Sequence, residues 1–489
     1  MSGGHTTLYS GDQHLPRVVL LHSNDIHSRL ERTSQIASFI SEQRRVYGDD
    51  RLLVVDCGDH MDRMRLETEG SNGRVNIELM NAACYTAAAI GNNEGLTYRK
   101  ETLGRVYETY AQFPVICANL FDAKTGQRPD WMLPRLITRK NGMTFGITSV
   151  TFQYESFYRL LGWQVTDPLM AAAEQVGWMR SRVDVVVVLS HLGLPMDERM
   201  AMEIKGIDVI AGGHTHHLLY EPIRISDTIV CAAGKFGDHL GKIEIDWNSS
   251  TDKPVLRASC VSVADYAEEP ESNEIIKRYR ASGERRLSRV VARLDEPLPV
   301  RLEGESPLGN LLAAGLRRWT DAEIGIVNTG QLLGGLAKGD VTEGQLHALC
   351  PSPINPCRMQ LSGRQIRTAL EESLLDEFIG MPIRGYGFRG HRLGALAIDG
   401  IEVVYDPDQL DYHKIISITI QGEELTDDKD YIVGTIDMFT FGAGYKSLRQ
   451  GMDIQYYLPE FIRNVLASQL TDRSFVLDCF RNRWSVLKS

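Results

Sequence analysis

No CxxC pair, no run of basic residues and no long apolar stretch occurs in the 489-residue sequence. The eight cysteines (57, 84, 117, 231, 260, 350, 357 and 479) are scattered, which excludes a zinc ribbon and a compact disulfide framework. They are expected to be free, mostly buried thiols in a reducing compartment, so the expected address is cytoplasmic. A net charge of −11 without a basic patch argues against nucleic acid or an anionic membrane as partner. An anionic small substrate stays compatible, because bound cations reverse the local field of a pocket. The densest apolar run, Val185 to Leu189, is far short of the roughly 18 residues a membrane span needs. The polar stretch Met1 to Arg17 has no basic start followed by an apolar run, as a secretory signal would. Neither a Gly-x-Ser-x-Gly elbow nor a Gly-x-x-x-x-Gly-Lys-Ser/Thr loop is found, which removes serine hydrolysis of that type and ATP cradling.

A chain this long supports two cores, with 43% hydrophobic and 24% charged residues, as in soluble globular proteins. Its first half alternates short β-branched runs with helical segments, the pattern of an α/β fold. Strands are expected at 17–22, 52–56, 115–118, 144–150, 184–190, 208–211 and 228–232. Between the first two, Ile36, Phe39 and Ile40 share one face of a helix while Glu42, Arg44 and Arg45 stay wet. Near Tyr266 the composition changes. Acidic residues (Glu268, Glu269, Glu271, Glu274) lead into basic ones (Lys277, Arg278, Arg280), which suits the helix dipole and predicts a solvated linker helix from about Ser272. The expected division is a flexible N-terminus (1–16), a first domain (17–266), the linker (267–290) and a second mixed α/β domain (291–489). In the last, helices are expected at 308–319, 363–375 and 459–470, and strands at 322–328, 400–405, 415–420 and 431–436.

Residues suited to divalent cations recur where apolar strands end. The expected strand 17–22 runs into Ser23-Asn24-Asp25-Ile26-His27, and 52–55 into Asp56-Cys57-Gly58-Asp59. Ala87 to Ile90 run into Gly91-Asn92-Asn93-Glu94. Val185 to Leu189 lead to His191, and Val209-Ile210 lead through two glycines to His214-Thr215-His216. Carboxylate, amide oxygen and imidazole are the donors that hard or borderline cations take. Loops at strand ends are where a layered fold gathers chemistry from distant parts of the chain. Glycines 58, 91, 212 and 213 permit tight turns and close approach there. Taken singly, an Asp-x-His is an ordinary surface loop and a lone His a core residue; the series in this order is not ordinary.

The series Asn24-Asp25-Ile26-His27, Gly58-Asp59, Gly91-Asn92, Ser190-His191 and Gly213-His214-Thr215-His216 resembles the calcineurin-like metallophosphoesterases. More narrowly it is similar to the 5′-nucleotidase/UDP-sugar hydrolase branch, whose C-terminal motifs match Leu308-Gly309-Asn310, Asn328-Thr329-Gly330 and Gly442-Ala443-Gly444-Tyr445. The resemblance implies an N-terminal four-layer α/β/β/α sandwich followed by a mixed α/β 5′-nucleotidase-type domain. It also implies two divalent cations (Mn, Zn, Fe or Co). Asp25, His27 and His216 would hold one, Asn92, His191 and His214 the other, and Asp59 would bridge them about 3.5 Å apart. The implied activity is hydrolysis of a nucleotide or related small phosphoester by a metal-activated hydroxide. Asn328 and Tyr445 would bind substrate, Tyr445 by stacking.

The sequence departs from the family at three points. Gly-Asn-His-Glu-x-Asp is replaced by Gly91-Asn92-Asn93-Glu94-Gly95-Leu96, so the His–Asp dyad is gone. Asn93 donates a hydrogen bond but delivers no proton. His60, with Asp62 nearby, is the candidate replacement acid. In Asn328-Thr329-Gly330-Gln331-Leu332-Leu333 the family's Arg is missing, and a second Arg is replaced by Gly304. One stacking aromatic falls near Ser352, leaving Tyr445 alone. Losing acid–base help costs roughly 10²–10⁴-fold, most for poor alkoxide leaving groups, so anhydrides or activated diesters are expected to outrank monophosphates. The alternatives are a phosphodiesterase or pyrophosphohydrolase of UDP-sugar hydrolase type, and a catalytically weak metal-binding protein.

Overall fold

A computed structural model describes residues 17–251 and 253–487. The N-terminal segment 1–16 lies outside the described residues. Two sheets face each other in the N-terminal half. In the seven-stranded one, the parallel strands Val18–Ser23, Leu52–Asp56 and Ala87–Ala89 sit at the centre. In the six-stranded one, Met143–Thr151, Val185–His191, Val209–Gly212 and Thr228–Ala232 run parallel.

Strand alternation sorts the side chains into layers. Val18, Leu20, Leu53 and Val55 of the first sheet meet Val185, Val187, Leu189 and Val209 of the second. Their neighbours Val19, Leu21 and Val54 turn outward onto Ile36, Phe39 and Ile40 of the helix Leu30–Tyr47. On the far side, Val186, Val188 and Ile210 turn outward onto Ala172, Val176 and Met179 of the helix Pro168–Arg180. Helix, sheet, sheet, helix is therefore the layer order. Both central strands are buried on two faces, so they read as continuous apolar runs rather than alternating ones.

The antiparallel pair His239–Asn248 and Lys253–Ser262 extends the first sheet past Val18–Ser23. The sequence pattern predicts neither strand, because mixed polar residues such as Lys242, Glu244 and Arg257 break the apolar run at a half-exposed edge.

The charged helix spans Pro270–Arg286, capped by Glu269, whose side chain accepts from Ser272 N. It is not the solvated spacer expected from its charges. Ile275, Ile276 and Tyr279 pack on Leu30, Val75 and Leu79 of the first half, and only the charged face remains wet.

The C-terminal half has one core around a five-stranded sheet containing Ile324–Asn328, Asp430–Ile436 and Pro356–Ser362. The helices Pro307–Trp319 and Ile462–Leu470 pack against it. The two halves are pinned by polar contacts. Arg463 reaches Glu69 at 3.1 Å, Arg389 reaches Asp62 at 2.6 Å, and His347 Nε2 donates to the Arg63 carbonyl at 2.8 Å.

Candidate metal centre

Five strand ends of the two central sheets open onto one spot. Asp25 and His27 follow Val18–Ser23, Asp59 follows Leu52–Asp56, and Asn92 begins the short helix after Ala87–Ala89. His191 ends its strand, and His214 and His216 follow Val209–Gly212. Asp25 Oδ1 lies 3.5 Å from His216 Nε2, 3.8 Å from His27 Nε2 and 3.9 Å from His191 Nε2. Asp59 faces His191 Nε2 at 3.3 Å through one oxygen and His27 Nε2 at 4.0 Å through the other. Two sets of donor atoms are thereby close enough to hold a cation: Asp25 with His27 and His216, and Asp25 with Asp59 and His191. His214 Nδ1 meets Asn92 Oδ1 at 2.8 Å beside them. All the residues expected as ligands converge.

The local backbone is unusual in a consistent way. Asp25, His27, Asp59, His214 and His216 all have φ between 48° and 74°, the left-handed region that residues other than glycine rarely adopt. Each such residue costs on the order of 1–3 kcal/mol and persists where the surroundings hold it for function. Those surroundings are visible. Asp25 N donates to Gly58 O at 3.0 Å, and His27 N to Asp59 O at 2.9 Å. His214 N donates to the Asp25 carboxylate at 2.9 Å. Two glycines are required by close approach: a Cβ on Gly91 would stand 2.1 Å from Asp59 Oδ1, and one on Gly213 2.9 Å from Asp25 Oδ2.

The electrostatics ask for positive charge. Burial, the largest influence on His191, opposes its protonation, yet the charges of Asp59 and Asp25 push it up to about 10. Burial would likewise raise Asp59, but His191 and His27 hold its carboxyl well below the usual range. His214 is moved the other way, to about 4, chiefly by burial. Oxygen and imidazole donors with an excess of buried negative charge fit divalent cations. His191 Nδ1 donates to Cys57 O at 2.9 Å, which leaves Nε2 turned inward without a hydrogen-bond partner, as a ligating nitrogen would be.

The residues expected to do catalysis and bind substrate fare differently. His60 is buried behind the site, with Nδ1 2.9 Å from Asp56 and Nε2 2.8 Å from the Tyr107 hydroxyl. Both ring nitrogens are engaged away from the donor cluster, so it is not placed to act as a replacement acid. Asn93 Nδ2 lies 2.9 Å from His27 Nδ1 and donates to Met61 O, so its amide braces His27, an expected ligand. Asn328 is fully buried, donating to Leu393 O at 2.6 Å and accepting from Gln331. Tyr445, at 0% exposure, stacks on Phe378 and donates its hydroxyl to Gly394 O, which leaves no ring face open to a base. Both are corrections: glycine-rich segments after a strand serve tight packing as readily as ligand contact.

Other residues at the site give no such signal in the sequence. Glu94 accepts from the backbone N–H groups of Asp59, Gly91 and Met61, clamping two ligand loops together. Its place in Gly91-Asn92-Asn93-Glu94 marks it, but not its role. The Tyr154 hydroxyl lies 3.4 Å from His214 Nε2. Asp62, 3.8 Å from His27 Nδ1, is held by Arg389 from the other half of the chain, a pairing 327 residues apart that spacing does not reveal.

Comparison with known proteins agrees with this geometry. Residues 18–218 match the calcineurin-like phosphoesterase family, and residues 290–449 match the 5′-nucleotidase C-terminal domain. An uncharacterized metallophosphoesterase of Bacillus subtilis (strain 168), YunD, is 36% identical over 460 residues, covering 92% of this chain and 98% of that protein. Human 5′-nucleotidase is 24% identical over 470 residues, covering 82% of this chain and 78% of its own. Among solved structures, the NAD nucleotidase of Haemophilus influenzae superposes with a TM-score of 0.66 at 16% identity, covering 96% of this chain and 97% of that one. The 5′-nucleotidase precursor of Thermus thermophilus gives 0.58 at 20% identity, over 96% and 99%. At these identities the structural likeness speaks for the fold.

Proposed function

The chain belongs to the calcineurin-like metallophosphoesterases that carry a 5′-nucleotidase C-terminal domain and is a phosphoester hydrolase; from that premise we propose that it uses two divalent cations to hydrolyse a nucleotide or related small phosphoester. Asp25, His27 and His216 would hold one cation, Asn92, His191 and His214 the other, with Asp59 between them. The observation that carries this reading is the left-handed backbone at five of these positions around one cluster of inward-facing donors. Cations bound there supply Lewis acidity toward a phosphoryl oxygen and lower the pKa of water.

The remaining work falls to the chain. Glu94 and the Asp25–His214 contact hold the ligand loops at fixed separation. Asn93 braces His27 and brings no proton to a leaving group. His60 stands behind the site, occupied by Asp56 and Tyr107. Leaving groups that need no protonation are therefore favoured: phosphoanhydrides and aryl diesters over alkyl monophosphates. Eight unpaired thiols support a reducing compartment as the address.

The test is turnover of bis-p-nitrophenyl phosphate with Mn²⁺, followed by a panel of alkyl monophosphates, diesters and pyrophosphates. Hydrolysis abolished by EDTA and restored by metal is expected. A protein that binds the cations tightly and turns over nothing in the panel would be a metal-binding protein instead.

A further inference from the structure

Acidic residues surround the donor cluster, and most cations near it are already paired. Arg389 is bound to Asp62, and Arg32 to Asp238 at 3.0 Å. Two are not. Arg29 and Lys235 have no ion-pair partner among the described residues. Both lie against one ring: the Arg29 guanidinium carbon is 4.5 Å from the centroid of Phe236, and Lys235 Nζ is 4.7 Å from it. Phe236 in turn meets the His27 ring edge-on at 5.9 Å. The two free cations are thus one aromatic ring away from an expected metal ligand.

This rim is fastened to the ligand loop. Phe236 N donates to Asp25 O at 2.7 Å, Asn24 Nδ2 to Gly234 O at 2.7 Å, and Ala233 N to Asn24 Oδ1 at 3.1 Å. Phe236 itself has φ of 63°, an outlier for a bulky residue. The chain therefore holds an aromatic side chain in a costly conformation, tied to Asp25, where it carries two unpaired positive charges. Lys235 is exposed and Arg29 half-buried, and a cation without an ion-pair partner, in a protein of net charge −11, is available to an anion.

We propose that Arg29, Lys235 and Phe236 form a subsite for a second phosphate, so that the substrate is a phosphoanhydride whose reacting phosphoryl group lies at the metal centre. Charge-assisted hydrogen bonds from Arg29 and Lys235 hold the neighbouring phosphate, and the Phe236 ring keeps both cations turned toward it. The inference rests on the phosphohydrolase reading and deepens it by naming the substrate class. It also fits the missing leaving-group acid, since a phosphate leaves unprotonated where an alkoxide does not.

The test is calorimetric binding of methylenediphosphonate, whose P–C–P bridge is not hydrolysed, and of orthophosphate to the Mn²⁺-loaded protein. Wild type is expected to bind methylenediphosphonate about tenfold more tightly than orthophosphate or better, and the Arg29→Ala/Lys235→Ala double variant to bring the two ligands within about threefold of each other. Arg32→Ala, which removes a paired cation three residues beyond Arg29, is expected to keep the wild-type gap. In parallel, the ratio of kcat/KM for ADP to that for p-nitrophenyl phosphate should fall about fivefold or more in the double variant. A double variant that keeps the binding gap overturns the subsite, as does an Arg32→Ala variant that loses it equally. Wild type that hydrolyses neither substrate would sink the hydrolase reading alone, because the binding gap is read without turnover.

Discussion

Arg389 donates to Asp62 through both Nε, at 3.2 Å, and Nη2, at 2.6 Å, and so ties the C-terminal half to the carboxylate that lies 3.8 Å from His27, an expected metal ligand. Asp62 is 4% exposed on its side chain, and Arg389 is the guanidinium it meets. Removing Arg389 leaves a buried carboxylate uncompensated, at a cost of about 3 kcal/mol. Arg389→Ala should lower the urea midpoint markedly, and Arg389→Ala/Asp62→Asn should recover much of the loss. A double variant as unstable as the single one would show that the pair is not coupled.

Cation binding must stabilise the fold if the donor cluster is what it is taken to be. At a hundredfold excess of Mn²⁺ over its Kd the gain is about 2.7 kcal/mol, readable as a rise in Tm that EDTA reverses. Asp59→Ala removes the carboxylate that faces both His191 and His27 and should abolish the increment. The increment is the readout, because the variant puts alanine at a left-handed position while removing a buried negative charge, so its metal-free Tm can move either way. An undiminished rise in Asp59→Ala would place the cations elsewhere.

Tyr445 separates a packing role from a stacking one. Its ring lies between Phe378 and Phe439, and its hydroxyl reaches Gly394 O at 2.8 Å. Tyr445→Ala should cost about 3–5 kcal/mol through the cavity it leaves, and Tyr445→Phe about 1 kcal/mol through the lost hydrogen bond. KM for a nucleotide should not change in Tyr445→Phe. A Tyr445→Ala protein of unaltered Tm with a raised KM would restore the stacking role.

What is legible in the sequence follows from how local each signal is. The parallel strands announce themselves because Val185 to Leu189 are buried on both faces and need no alternation. The candidate ligands follow because each sits at or just after the end of such a strand. His60 misleads for the same reason: it adjoins Asp59 in sequence, yet the left-handed turn at Asp59 sends it back toward Asp56. Nothing local marks Arg389 or Phe236 as neighbours of the site, since each reaches it through packing between distant segments. The edge strands His239–Asn248 and Lys253–Ser262 escape notice because half-exposed strands carry too few apolar residues to stand out.

The contact between the halves should make stability acid-sensitive. Glu69 bonds Arg63 at 2.7 Å and meets Arg463 at 3.1 Å, while both guanidinium groups lie 4.7 Å from the Phe461 ring. Burial would raise the Glu69 carboxyl, but the charges of Arg63 and Arg463 hold it well below its ordinary 4.5. A depressed folded-state pKa contributes stability that is complete above the unfolded value and is lost as pH falls toward the folded one. At neutral pH, Glu69→Gln leaves the buried Arg463 and the half-buried Arg63 facing each other without an anion and should cost about 3 kcal/mol. Lowering the pH from about 6 to about 3 should destabilise wild type more steeply than Glu69→Gln, so the Tm gap between them narrows. His347, kept neutral chiefly by burial and then by Arg463, charges in acid in both proteins and adds slope to each. A gap that stays constant across that range would mean that Glu69 titrates as an ordinary carboxylate and that the two halves are held together by other contacts.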